Sequence, residues 1–124
     1  MQGEITMAIM INSEFGDVTI ENGVIASIAG AVVNKCYGVV GMAARSTKDG
    51  IVSLLKGDKI ARGIKIEVED NGIVIEMHIA VEYGVNIHAI CDSIIHNVRY
   101  KIEEKTGLKV HKVNVQVESV RVQE

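Results

Sequence analysis

His88, Asp92 and His96 recur every four residues in a stretch whose apolar positions read as one helix, so their side chains project from a single face. Imidazole and carboxylate one turn apart are the ligand types that hold zinc and similar ions. The outer two are separated by roughly 12 Å along a straight helix, so one tetrahedral ion reaches at most one His–Asp pair. The same face lies opposite an isoleucine stripe, and a solvated polar face accounts for the pattern more simply. No catalytic, cofactor-binding or metal-ligating residue is therefore assigned.

The other reactive side chains give less. Cys36 and Cys91 stand apart, without C-x-x-C or zinc-ligand spacing. Cys91 falls within the apolar stripe, and a buried thiol packs as a small hydrophobe; Lys35 beside Cys36 is only a hint of the electropositive setting that lowers a thiol pKa. His78 shares a strand parity with Glu76 and Glu82 and is expected to face water or another layer, and His111 sits in a charged stretch. Neither completes a triad. "GVVG" at 38–41 matches the G-x-x-G that clamps a nucleic-acid backbone in KH domains, which keeps a KH-like RNA-binding module as the alternative function. Such a clamp joins two helices around basic or small polar residues, whereas this one encloses two valines and leads into an extended run. P-loop, Rossmann, nucleophile-elbow and zincin patterns do not occur.

The elements that must position these residues belong to one domain, taken as residues 1–124. Hydrophobic residues make up 48% and charged residues 23%, a composition that folds. With four aromatics (Phe15, Tyr37, Tyr83, Tyr100) and no tryptophan or proline, the core must be built from valine, isoleucine and alanine. A net charge of −3 argues against general nucleic-acid or anionic-membrane binding, which draws on clustered Lys and Arg. Unpaired cysteines fit a reducing cytosol. Glu4 stands where a signal peptide needs positive charge, and no apolar run approaches the ~18–20 residues that span a bilayer. The expected location is cytoplasmic, with any membrane association made through a partner and no direct insertion.

Val24, Ile25, Ile28, Ala29, Val32 and Val33 form one stripe of a first helix, with Asn22 as its expected cap and Gly38 just past its end. One or two strands precede it, and "GVVGMAA" reads as another. Ile64, Ile66 and Val68, then Ile73, Ile75, Met77, Ile79 and Val81, alternate as two strands around "DNG", a turn that tolerates positive φ. Asn86 caps a second helix with Ile87, Ile90, Cys91, Ile94, Ile95, Val98 and Ile102 on its apolar side, ended by Gly107. The last strand carries Val113, Val115 and Val117 on one parity and Val120 and Val122 on the other, which predicts a bulge near Glu118 and Ser119 in a strand at the side of the sheet. Its Lys109, Lys112, Gln116 and Glu118 are expected to face outward. Two amphipathic helices on one face of a mixed β-sheet, an α+β two-layer sandwich, bury both stripes.

Arg45 to Arg62 is the least regular part, with five basic residues against two acidic ones. It reads as a flexible basic excursion at 45–62 in which Ile51, Val52, Leu54 and Leu55 make one short amphipathic turn. Ile51, Leu54, Leu55, Lys56 and Lys59 are the candidate partner-docking residues. The competing reading is that Ile51, Leu54 and Leu55 close the core beneath a long loop.

"GDVTIENGVIASIAG", "YGVVGM", "VEYGVNIHAI" and "IEEKTGLKVHKVNVQV" stand in this order between about Gly16 and Val122. In these pieces and their spacing the chain resembles the alkaline-shock family of small, mainly Gram-positive bacterial proteins, also described as envelope stress response proteins. Glu21, where relatives often carry a small hydroxyl residue, and "HNVRYKIE", where many carry a glutamine, are departures that leave the fold expectation intact. The resemblance implies a non-enzymatic protein of envelope homeostasis that self-associates and, in some cases, is held at the membrane by a separate anchor protein. It brings no catalytic residues. The expected function is that of an interaction or scaffold protein.

Overall fold

The computed structural model describes residues 8–44, 54–55 and 63–122. β1 (Ala8–Ser13) and β2 (Gly16–Glu21) form an antiparallel hairpin that runs straight into α1 (Asn22–Asn34). β3 (Val39–Ala43), β4 (Leu54–Leu55), β5 (Ile64–Glu69), β6 (Gly72–Glu82), α2 (Ile87–Thr106) and β7 (Lys109–Arg121) follow.

β6 is the axis of the five-stranded sheet. β7 runs parallel along its whole length, joined by α2, because parallel neighbours need a crossover rather than a tight turn. The other edge of β6 is shared end to end by two antiparallel strands: β5 opposite Gly72 to Met77, and β3 opposite Ile79 to Val81. At that junction a Cβ on Gly63 would lie 2.8 Å from the Ala43 carbonyl, so the close approach requires glycine. The sheet is mixed, as expected.

Period-two alternation sends Ile73, Ile75, Met77, Ile79 and Val81 to one face of β6, where all are fully buried. Ile25, Ala29 and Val33 of α1 and Ile90, Ile94, Val98 and Ile102 of α2 meet them in a single core, so both helices cover that face. Each fully buried isoleucine or valine contributes about 1.5–3 kcal/mol. None of the four aromatics joins this core: Phe15, Tyr37, Tyr83 and Tyr100 are 97%, 85%, 73% and 64% exposed.

Several local expectations hold. Asp70 and Asn71 adopt positive φ in the two-residue turn between β5 and β6. The Asn86 side chain accepts from the Ala89 N–H at 3.0 Å, and Gly107 ends α2 in the left-handed conformation. β7 pairs with β6 alone among the described strands, and its register shifts between Val117 and Ser119, which puts the bulge at Glu118. That extra residue returns Val120 opposite Val81 after Val117 opposite Ile79, which is why the valines change parity.

Two expectations need correction. Asn22 does not cap α1: β2 leads into the helix without a spacer, Glu21 takes the capping position, and the Asn22 side-chain oxygen is buried without a partner. Leu54 and Leu55 form a short strand paired with Ala43 and Met42 rather than part of a helical turn, because the open edge of β3 offers them backbone partners. A second register shift, at His111, went unforeseen. It lets the His111 ring donate from Nε2 toward the carbonyls of Glu69 and Asp70, at 3.1 and 3.2 Å, tying β7 to the β5–β6 turn. A Cβ on Gly72 would lie 2.5 Å from that ring nitrogen.

Candidate functional site

Two places collect polar chemistry, one on each side of the sheet. On the side away from the helices, His78 is only 6% exposed. Its Nδ1 faces the Glu118 carboxylate and its Nε2 faces Glu76 at 3.0 Å. Both bonds form together when each ring nitrogen carries a hydrogen. Sequence alternation placed His78 toward water or another layer, and burial decides for the second; it placed Glu118 outward. The bulge instead turns Glu118 onto the ring, leaving its side chain 16% exposed. The two carboxylates occupy opposite sides of the imidazole, an arrangement that fixes β7 against β6 and leaves no ring nitrogen for a metal or a substrate.

On the helix side, a groove of about 610 Å³ lies between residues of α1 and α2. Ile28, Ala31 and Val32 line it from α1, and Ile28 and Val32 also pack on the core, so the floor is continuous with the interior. Ser93, Asn97, Tyr100, Lys101 and Lys105 line it from α2, roughly one per turn along about 18 Å of helix. Lys35, Cys36 and Tyr37, just past the end of α1, complete the wall. A smaller hollow of about 210 Å³ adjoins it past Ala89 and Ile90. The groove thus has an apolar bed, a lysine rim and two exposed tyrosines. Glu104 accepts from the Tyr100 hydroxyl at 3.3 Å and from Lys101 at 3.5 Å, which offsets part of that charge.

Both cysteines are half-buried free thiols. Burial pushes the Cys36 thiol up, partly offset by a hydrogen bond from Asn97, and burial pushes Cys91 up as well. Cys36 donates to the Val32 carbonyl at 3.4 Å. Raised thiols hold back the thiolate that nucleophilic or metal chemistry needs, in keeping with packing roles.

The remaining candidates disperse. His88, Asp92 and His96 lie exposed on α2, where the His96 ring bonds the Asp92 carbonyl at 2.9 Å, and no cluster of three potential ligands occurs among the described residues. "GVVG" feeds β3 rather than joining helices, and a Cβ on Gly38, at φ +85°, would lie 2.3 Å from Ile90 Cδ1. Gly38 is there to let the chain pass α2. Of the proposed docking residues, Leu54 pairs with Ala43 and Leu55 packs against the core, while Ile51, Lys56 and Lys59 lie outside the described residues. The groove residues were passed over because no motif marks them. The available signal was that Tyr37 and Tyr100 fall outside both apolar stripes.

These features define a small α+β domain with a helix-side groove. Residues 10–122 match the model of the alkaline shock protein 23 family, which is described as having a cell envelope-related function, and the chain belongs to that family. It is 37% identical over 117 residues to the uncharacterized protein YloU of Bacillus subtilis, covering 94% of this chain and 98% of that one. An uncharacterized protein of Streptococcus pyogenes serotype M6 is 33% identical, covering 94% of this chain and 97% of the other. Among solved structures, the MamM CTD is similar at a TM-score of 0.45 and 12% identity, over 82% of this chain and 94% of that one. Among the described residues, no helix is long and apolar enough to cross a membrane.

Proposed function

We propose that the protein is a non-enzymatic interaction or scaffold protein in cell-envelope stress response and homeostasis, acting through self-association and through a membrane-anchored or cytosolic partner. The observation that carries this reading is the α1/α2 groove, an apolar bed flanked by Tyr37 and Tyr100 and rimmed by lysines. Exposed tyrosines and a desolvatable apolar floor are the features on which interface energy concentrates. A chain with four aromatics that puts every one outside its core has kept them for contact rather than for packing. The envelope-related function of the family supplies the setting. In this reading the chain works in the cytoplasm and reaches the membrane through a separate anchor.

Mild cross-linking in intact cells, followed by affinity capture with the membrane fraction retained, tests it. The expected result is recovery of further copies of the chain together with an envelope protein, both reduced by Tyr37→Ala with Tyr100→Ala. Capture of neither by the wild-type chain would refute it.

A further inference from the structure

Two exposed surfaces border α1. The β1–β2 hairpin leads into its N-terminus, with Ile20 near the hairpin base and Ile11, opposite Val18, packed on the core, while every residue from Glu14 to Thr19 is exposed. Phe15, at the turn, is 97% exposed, and Val18 beside it is 53% exposed. The tip is acidic: Glu14 and Asp17 flank Phe15, Glu21 stands at the base, and no lysine or arginine occurs before Lys35. At the C-terminal end, Lys35 and Tyr37 open the helix groove, with Lys105 on the facing helix. Glu104 engages Lys101, whereas Lys35 and Lys105 have no ion-pair partner among the described residues.

We infer that the acidic hairpin tip of one copy of this chain docks in the α1/α2 groove of a second copy, with Phe15 on the Ile28–Val32 bed and Glu14 and Asp17 against Lys35 and Lys105. This rests on the self-association reading above and names its two surfaces. The chemistry is complementary, since an exposed aromatic ring between carboxylates meets an apolar floor between ammonium groups. A groove of about 610 Å³ accommodates a phenyl ring with its flanking side chains. Donor and acceptor are different patches, the hairpin turn and the groove, and we take the contact as head-to-tail. In that arrangement each added copy presents a free hairpin and a free groove, so the assembly lengthens with concentration.

Sedimentation velocity over a range of concentrations, in low and moderate salt, tests this. The wild-type chain should form a growing series of oligomers that salt weakens. Phe15→Asp should weaken association roughly thirtyfold or more, the effect of losing a central aromatic anchor. Lys35→Glu with Lys105→Glu should weaken it roughly tenfold or more. The decisive arm mixes these two variants. One retains an intact groove and the other an intact hairpin, so together they should form a 1:1 heterodimer that grows no further. All these side chains are exposed, so urea midpoints should match the wild type; should Phe15→Asp unfold the chain, Glu14→Lys with Asp17→Lys reads the same contact through charge. Wild-type oligomers undiminished by these substitutions, or no heterodimer on mixing, would overturn the interface and leave the scaffold reading standing. A wild-type chain that stays monomeric throughout would also overturn the interface, while the scaffold reading would then depend on capture of the envelope partner alone.

Discussion

His78 and the α1/α2 groove lie on opposite sides of the sheet and treat their polar groups in opposite ways. His78 is buried and has a carboxylate on each ring nitrogen, so every strong bond it can make is already made within the chain. The groove lysines and tyrosines are exposed and mostly unengaged, and they border an apolar bed that costs free energy to leave in water. A satisfied buried group stabilises one arrangement of strands, whereas an unsatisfied exposed set gains free energy only when something else arrives. The difference separates framework from the proposed contact surface in a domain whose reactive side chains do not otherwise converge among the described residues.

The comparison breaks first at His78. His78→Ala leaves the Glu118 carboxylate half-buried without this donor and should destabilise the fold by about 2–4 kcal/mol, read from urea unfolding. Replacing both His78 and Glu118 with leucine should recover most of that loss, because the penalty lies in the abandoned charge rather than in a missing attraction. Gly38→Ala comes next. Its Cβ would press on Ile90 in a backbone conformation that disfavours side chains, and a loss of about 1–3 kcal/mol is expected by the same measurement.

The cysteines sharpen the boundary between the two regions by pH. Because burial raises both thiols, each should react with an alkylating reagent several-fold more slowly in the folded chain than in urea at mildly alkaline pH. The sign for stability follows from proton binding. The unfolded thiols ionise first, so the folded state holds more protons and stability falls as pH rises through the ordinary thiol range. Equal rates for folded and unfolded chain would contradict the burial. The smallest effect is expected in the groove itself: Tyr100→Ala should change stability by no more than about 0.5 kcal/mol while reducing capture of partners. A larger loss would move Tyr100 from contact surface to framework.

Residue pattern alone determined much of this protein. Period-two and helical spacing of isoleucine and valine separated the strands from the helices, "DNG" fixed the β5–β6 turn, and Asn86 and Gly107 bounded α2, because each of these signals acts over a few residues. Even the bulge at Glu118 was legible, since a valine run that changes parity must insert a residue to keep its face. Tertiary structure decided the rest. His78 and Glu118 are 40 residues apart, and only the pairing of β6 with β7 makes them partners. The groove is lined by residues of two helices far apart in the chain, a juxtaposition that no local sequence signal encodes. The missing cap on α1 has the same origin: Asn22 has the right chemistry, but the hairpin leads directly into the helix and leaves no residue of loop in which to use it.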